Sequence, residues 1–343
     1  MIQSITYLEG VSSEKDQLES FLKEWQSNNL SIQLKTSGST GKPKIIELLK
    51  SQMRLSAKAT LDYFSIAKKG NALLCLSLNT VGGIMMVVRA IENDMHLIVA
   101  PVQSEPITNL SNSISIDLCA MVPTQLNQVL LHRSEVLHQI KTLLIGGAPI
   151  FGSIVDLLKK AKHTVYQTFG MTETISHVAV RRIGLITDEY YEALPSVHFS
   201  ERNNNLIIHY PRLLPDPLET KEHVELVDRF HFKWLGRTDL VVNSGGKKIY
   251  PESIEEKLDH LIPFPFLTTG IPDEHWGEML VLIVETDSPF QLKKEELKHL
   301  GLAGHELPKR IYIIEDIDRL PGGKIDRITT LKKLNRDEYS ELL

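Results

Sequence analysis

Between Leu34 and Ile45 the chain reads LKTSGSTGKPKI. Gly38 and Gly41 permit positive φ and close backbone approach. Thr36, Ser37, Ser39 and Thr40 carry hydroxyls, and Lys35, Lys42 and Lys44 carry positive charge. Successive backbone N–H groups in such a turn form a concave nest for phosphate oxygens. The nucleotide P-loop, G-x-x-x-x-G-K-[ST], is not met. Only two residues separate Gly38 from Gly41, and Pro43 follows Lys42 where a magnesium-binding hydroxyl belongs. Pro43 also disfavours the helical region for Lys42. Taken alone, the stretch reads equally as an anion cradle or a polar surface turn.

Other segments pair glycine with groups that do chemistry: IGGAP at Ile145, YQTFGMTET with Thr172 and Glu173, SGGKK at Ser244, and LPGGKIDR with Lys324. The elements that must position them are legible as alternating runs. NALLCLSL, HLIVAP, IDLCAMVP, TLLIGGAP and HTVYQTFG read as buried strands. Lys50 to Tyr63, Gly82 to Glu92, Thr124 to Leu137 and Phe151 to Ala161 read as amphipathic helices. That alternation predicts an α/β fold with a largely parallel sheet, whose ligands lie beyond the carboxyl ends of the strands. IGGAP and TFGMTET each follow a strand there. From Asp188 to Lys233 the pattern turns β-rich. After Arg237 comes a compact unit: a strand, a helix PESIEEKL, strands FLTTGI and MLVLIVET, a helix KKEELKHL, a strand RIYIIED and the loop LPGGKIDR.

A length of 343 residues predicts about two domains. With 42% hydrophobic and 24% charged residues the composition is that of an ordinary globular protein. The net charge of −5 gives no electrostatic case for nucleic acid or an anionic membrane. Cys75 and Cys119 sit in apolar runs and read as buried thiols of a reducing cytoplasm; no C-x-x-C pattern points to zinc. The first residues lack a basic segment followed by an apolar core, so no signal peptide is expected. The apolar stretch from Ala72 to Val88 is broken by Asn79, Thr80 and paired glycines and ended by Arg89, which favours strand, turn and helix over a membrane span.

Together the spaced loops resemble the adenylate-forming superfamily of acyl- and aryl-CoA ligases, luciferases and adenylation domains. TSGSTGKPK resembles its phosphate loop, and YQTFGMTET its YGMTE segment with Phe169 for the usual Tyr. WLGRTDLVVNSGGKKIYPESIE resembles its hinge and following loop, GIPDEHWGE a further segment, and LPGGKIDR the terminal G-K-[IL]-x-R. The blocks occur in the family order. The resemblance implies a large N-terminal domain, residues 1–236, with mixed, largely parallel sheets, and a small mobile α+β C-terminal domain, residues 237–343. It also implies that part of the usual N-terminal subdomain is lacking before the phosphate loop, with a homodimer as one way to cover that surface.

The activity so implied is AMP-forming ligation: a carboxylate attacks the α-phosphate of ATP, and a thiol then attacks the acyl-AMP. ATP, CoA and Mg²⁺ are the expected partners of a small carboxylic acid. Thr36, Ser37, Gly38, Ser39, Thr40, Gly41 and Lys44 are expected to hold the β- and γ-phosphates. Thr172 is expected on the α-phosphate and Glu173 on Mg²⁺, a hard ion that favours oxygen ligands. Phe169, with Gly170 and Met171, is expected beside adenine, and Gly146, Gly147 and Ala148 permit close approach of base and acyl group. Glu222, in TKE, stands where the family's ribose-binding Asp is expected, with Asp228 or no acid as the alternatives. Arg237 and Asp239 mark the hinge. Gly245 and Gly246 face the thiol, with Lys247 or Lys248 near the CoA phosphates or simply solvated. Lys324 is the adenylation lysine, bridging carboxylate and α-phosphate. Asn79 and Thr80 stand where Phe and His often occur in the family, and with His177 they are weak candidates for the acyl pocket. The motifs do not name the acid, and they leave open a carrier-protein thiol or a nucleotide-binding protein without turnover.

Overall fold

The structure, a computed structural model, describes residues 2–36, 44–111, 113–150, 152–319 and 325–341. The chain opens with β1 (Ser4–Tyr7) and α1 (Ser12–Gln26). Leu18, Phe21 and Trp25 recur on one face of α1 and are buried, while Glu14 and Lys23 complement the helix dipole at its two ends. A hairpin follows, β2 (Ser31–Thr36) with β3 (Lys44–Leu49), running without a break into α2 (Lys50–Tyr63). Strands and helices then alternate: β4 (Asn71–Leu74), α3 (Val81–Glu92), β5 (His96–Val99), β6 (Ile116–Met121), α4 (Pro123–His132), β7 (Ile140–Ile145), α5 (Gly152–Lys160) and β8 (Thr164–Gly170). The antiparallel part adds β9 (His177–Gly184), β10 (Tyr191–Ala193), β11 (His198–Arg202), β12 (Asn205–His209), β13 (Leu218–Leu226) and β14 (His231–Arg237).

Among the described residues these strands form a 12-stranded sheet in the order β1-β5-β4-β6-β7-β8-β9-β10-β14-β13-β12-β11. Its first six strands are parallel and the rest antiparallel. Period-2 alternation divides each parallel strand between two cores. Ala72, Leu74, Leu97, Val99, Leu118 and Ala120 face α1, α2 and α3. Leu73, Ile98, Cys119 and Met121 face α4 and α5. Both cysteines are free and buried, as their apolar surroundings predict.

A second sheet carries the rest: β15 (Val242–Ser244), β16 (Lys247–Ile249), β17 (Phe266–Asp273), β18 (Gly277–Glu285), β19 (Arg310–Ile314) and β20 (Ser340–Glu341). α6 (Pro251–Leu258), α7 (Lys294–Lys298) and α8 (Arg327–Lys333) accompany it around cores of its own. The α/β architecture expected from the alternation is the one found, a large mixed sheet followed by a small α+β unit. The helix expected to run from Thr124 to Leu137 breaks after His132, where Arg133 takes φ −146, and continues as a short 3₁₀ segment. Among the described residues no helix is long and apolar enough to cross a membrane.

Candidate active site

The neighbouring ends of the parallel strands β7 and β8 bring two of the predicted loops side by side. β2 and β3 stay in register up to the pair Thr36↔Lys44, the two residues that flank the segment 37–43. Ser37, Gly38, Ser39, Thr40 and Gly41, and the side chains of Thr36 and Lys44, lie outside the described residues, as does Lys324.

Gly146, Gly147 and Ala148 follow β7. Gly147 has φ +93, and a Cβ on Gly146 would fall 2.7 Å from the Thr168 hydroxyl of the neighbouring strand β8. β8 ends at Gly170, where a Cβ would collide with the Ser176 carbonyl oxygen at 2.3 Å. One turn of 3₁₀ helix, Thr172–Thr174, follows. It is tied by the buried Thr174 hydroxyl, which accepts from the Met171 N–H and lies within 2.7 Å of the Ser176 carbonyl. Ile175 leaves the turn with φ +65, a strained value for a β-branched residue and a type of outlier that clusters at functional sites. Thr172 is thereby half-buried and Glu173 exposed at the mouth of the strand. Among the described residues no three His, Cys, Asp or Glu side chains converge as a metal cage. One exposed carboxylate still fits Mg²⁺, which takes most of its ligands from phosphates and water.

Packing gives several of the candidate residues protein partners. Thr80 is the N-cap of α3: its hydroxyl accepts from the Gly83 N–H and donates to the Ser77 carbonyl at 2.7 Å. Asn79 is exposed beside it. Phe169 packs edge-to-face on Phe232, with centroids 4.9 Å apart, and tilts against Tyr191, so part of its ring belongs to the core. Asp228 accepts from the N–H groups of Phe230 and His231 in its own turn. Glu222 lies directly opposite Arg237 in the β13–β14 register. The Glu222 carboxylate is buried and accepts from Trp234 Nε1 at 2.8 Å and Arg237 Nη1 at 2.5 Å. Arg237 also grips Asp239 with two bonds of 2.9 Å.

His177 is likewise buried, 7% exposed, and bonded to protein groups on both ring nitrogens. One partner escaped the sequence reading. Arg89, at the end of α3, is 2% exposed and has no carboxylate partner among the described residues. Its Nη2 donates to Ser176 Oγ at 2.8 Å, Nη1 reaches only the Met86 sulfur at 3.9 Å, and Nε–H has no acceptor. Burial pushes its pKa down to about 10, which leaves it cationic at neutral pH. In sequence Arg89 merely terminates an apolar run; only tertiary packing shows a buried cation with no counter-charge among the described residues.

In the C-terminal unit, Gly245 (φ +55) and Gly246 (φ +75) form the two-residue turn between β15 and β16, whose positive φ pair suits a type I′ hairpin. The Trp276 ring lies 2.9 Å from where a Gly245 Cβ would stand, and the Lys309 ammonium lies 5.9 Å from the centre of that ring. Lys247 and Lys248 are exposed next to the turn. The outer end of this unit is anchored by Arg327, which grips Glu255 with bonds of 2.7 and 2.8 Å. Beside that pair Glu252 is buried with an unpartnered Oε2, 3.0 Å from where a Gly236 Cβ would stand. Burial, helped by Glu255 and Glu222 and opposed by Arg327, pushes its pKa up to about 7.

The profile of the AMP-binding enzyme family matches residues 5–209. The 2-succinylbenzoate–CoA ligase of Listeria monocytogenes is 25% identical over 94% of this chain and 74% of that protein. An acyl-CoA synthetase (AMP-forming)/AMP-acid ligase II-like protein from Dyadobacter fermentans is 31% identical, covers 92% of this chain and 93% of that one, and superposes with a TM-score of 0.61. The o-succinylbenzoate CoA synthetase of Bacillus subtilis, in complex with its acyl-adenylate intermediate, is 20% identical over 88% of this chain and 69% of that one and shares the fold with a TM-score of 0.76.

Proposed function

Because the chain belongs to the AMP-binding enzyme family, and thus to the AMP-forming acid–CoA ligases, we propose that it converts 2-succinylbenzoate, ATP and CoA to 2-succinylbenzoyl-CoA, AMP and pyrophosphate, a step of menaquinone biosynthesis. Arg89 carries this reading within the structure. A buried guanidinium without a counter-charge is costly, and a dicarboxylic acid supplies that charge through the carboxylate that is not activated. Arg89 reaches Ser176, which stands just beyond the FGMTET turn, so the two ends of the acid would find the cation and the phosphate loops together. The 2-succinylbenzoate–CoA ligases among the relatives support the same acid.

In the first half-reaction a carboxylate oxygen attacks the α-phosphorus and pyrophosphate leaves. In the second, the thiol sulfur attacks the acyl carbonyl, AMP leaves, and the thiol proton passes to solvent. Catalysis here is positioning and charge stabilisation. Thr36, Ser37, Gly38, Ser39, Thr40, Gly41 and Lys44 hold the outgoing pyrophosphate. Thr172 donates to the α-phosphate, and Glu173 would hold Mg²⁺, which supplies charge neutralisation of the phosphates when bound. Glu222 and Arg237 contact the ribose. Lys324 bridges carboxylate and α-phosphate. We divide the chain at Arg237 and Asp239, about which the C-terminal unit turns to present first Lys324 and then the Gly245–Gly246 turn. Trp276 beside that turn offers a face for the CoA adenine, with Lys247 and Lys248 for its phosphates.

The test is ATP- and Mg²⁺-dependent AMP release with CoA, comparing 2-succinylbenzoate with benzoate, a medium-chain fatty acid and acetate. Strong preference for 2-succinylbenzoate is expected. Lys324→Ala should lower acyl-adenylate formation about 10²–10³-fold or more while sparing thiolysis of added acyl-AMP. Preference for another acid would keep the ligase and remove the proposed substrate.

A further inference from the structure

We propose that His177 is a positioning residue that aims the Arg89 guanidinium at the second carboxylate by accepting a hydrogen bond from it at Nδ1. The inference rests on the reading of Arg89 given above. The hydrogen-bond directions fix the tautomer. The Thr60 hydroxyl donates to the Ser56 carbonyl at 3.2 Å, so toward His177 Nε2, also 3.2 Å away, it can only accept. Nε2 therefore carries the proton and Nδ1 presents a lone pair. That lone pair faces Arg89 Nη2 at 3.4 Å and the Ser176 hydroxyl at 3.4 Å. Ser176 accepts from the same Nη2 at 2.8 Å. Two acceptors thus fix one corner of the guanidinium, and the Nε–H is left without an acceptor.

A protonated imidazole would reverse this, because it would place a second cation against Arg89 in a dry core. Burial first, and the charge of Arg89 second, hold the His177 pKa well below its ordinary value. The acceptor is therefore present throughout the neutral range. Thr60, on α2, and Arg89, on α3, reach the same ring from two helices, so the orientation of the cation is set by three elements rather than by its own flexible stem.

The experiment measures KM for 2-succinylbenzoate, KM for ATP and kcat in full-length variants, with thermal melting as a fold control. His177→Leu removes the acceptor and keeps an apolar filler. It should raise KM for the acid about 10-fold or more, the scale of one hydrogen bond to a charged group, with kcat and the KM for ATP within about threefold of the parent. His177→Asn places an amide oxygen near the Nδ1 position and should restore most of the lost affinity. Thr60→Val, which no longer accepts the hydrogen bond from Nε2–H, should raise the same KM by a few-fold and serves if His177→Leu does not fold. An unchanged KM for the acid in His177→Leu and Thr60→Val overturns the proposal, as does a His177→Asn variant no better than the Leu variant. Arg89→Met separates the two levels. If it raises KM for the acid while His177→Leu does not, the positioning role alone fails; if it too leaves KM unchanged, the reading of Arg89 fails with it.

Discussion

A side chain at Gly170 would place its Cβ 2.3 Å from the Ser176 carbonyl oxygen, and that atom is backbone held by the Thr174 hydroxyl. Gly170→Ala should therefore displace the turn that presents Thr172 and Glu173. We expect a loss of roughly 1–3 kcal/mol in stability, within the usual range for point substitutions, and a larger KM for ATP in ATP–pyrophosphate exchange; a parental KM would separate the turn from nucleotide binding. Titration at single residues follows from burial. Glu252 has its pKa raised from 4.5 to about 7, so its contribution to stability is complete below 4.5 and is lost as pH rises through 7. The loss is on the order of 3 kcal/mol, and Glu252→Gln should remove that slope from the melting temperature measured against pH. His177 has the opposite sign. Its pKa is depressed from 6.5, so stability is present above 6.5 and is lost as pH falls below it. His177→Asn should flatten that acid limb.

At the scale of elements, the turn between β15 and β16 gives a selective prediction. Gly245→Ala puts a methyl group 2.9 Å from the Trp276 ring at a φ of +55, so both the backbone and its aromatic neighbour resist it. CoA-dependent AMP release should fall while acid-dependent ATP–pyrophosphate exchange persists; equal loss of both would place the turn in the first half-reaction. The α6–α8 contact gives another. Glu255→Gln leaves the buried Arg327 without its charge partner and should cost about 3–5 kcal/mol, read as a lowered denaturation midpoint. What the sequence disclosed of these elements has a physical pattern. α2 was legible to the residue, Lys50–Tyr63, because its apolar period is regular and a strand abuts it. The loops after β7 and β8 were legible because glycine marks a close approach that local chemistry enforces. The capping role of Thr80 was not legible, because a capping hydroxyl and a pocket hydroxyl look alike until the N–H of Gly83 is seen to point at it. Arg89 and Trp276 escaped because their meaning lies in what surrounds them in space. An arginine after VGGIMMVV is, in one dimension, only the end of a hydrophobic run.

At the scale of the whole molecule, the join between the large sheet and the C-terminal unit is mostly polar. The Ser153 N–H donates to Asp259 at 2.6 Å, His260 stands 3.6 Å from Asp156, and the rings of His223 and Tyr250 stack at 4.4 Å. The two units keep separate apolar cores, so little hydrocarbon is shared across the seam. Parting such surfaces exchanges protein hydrogen bonds for water ones and wets almost no oil-like area. Heat capacity tracks newly wetted apolar surface. The rotation proposed about Arg237 should therefore be nearly silent calorimetrically, and the enthalpy of forming a bound acyl-adenylate should vary with temperature only as the ligand's own burial requires. In the rotation proposed above, the resistance to turning would lie in these few exchangeable polar contacts, so salt and pH, more than temperature, would set how freely the unit moves.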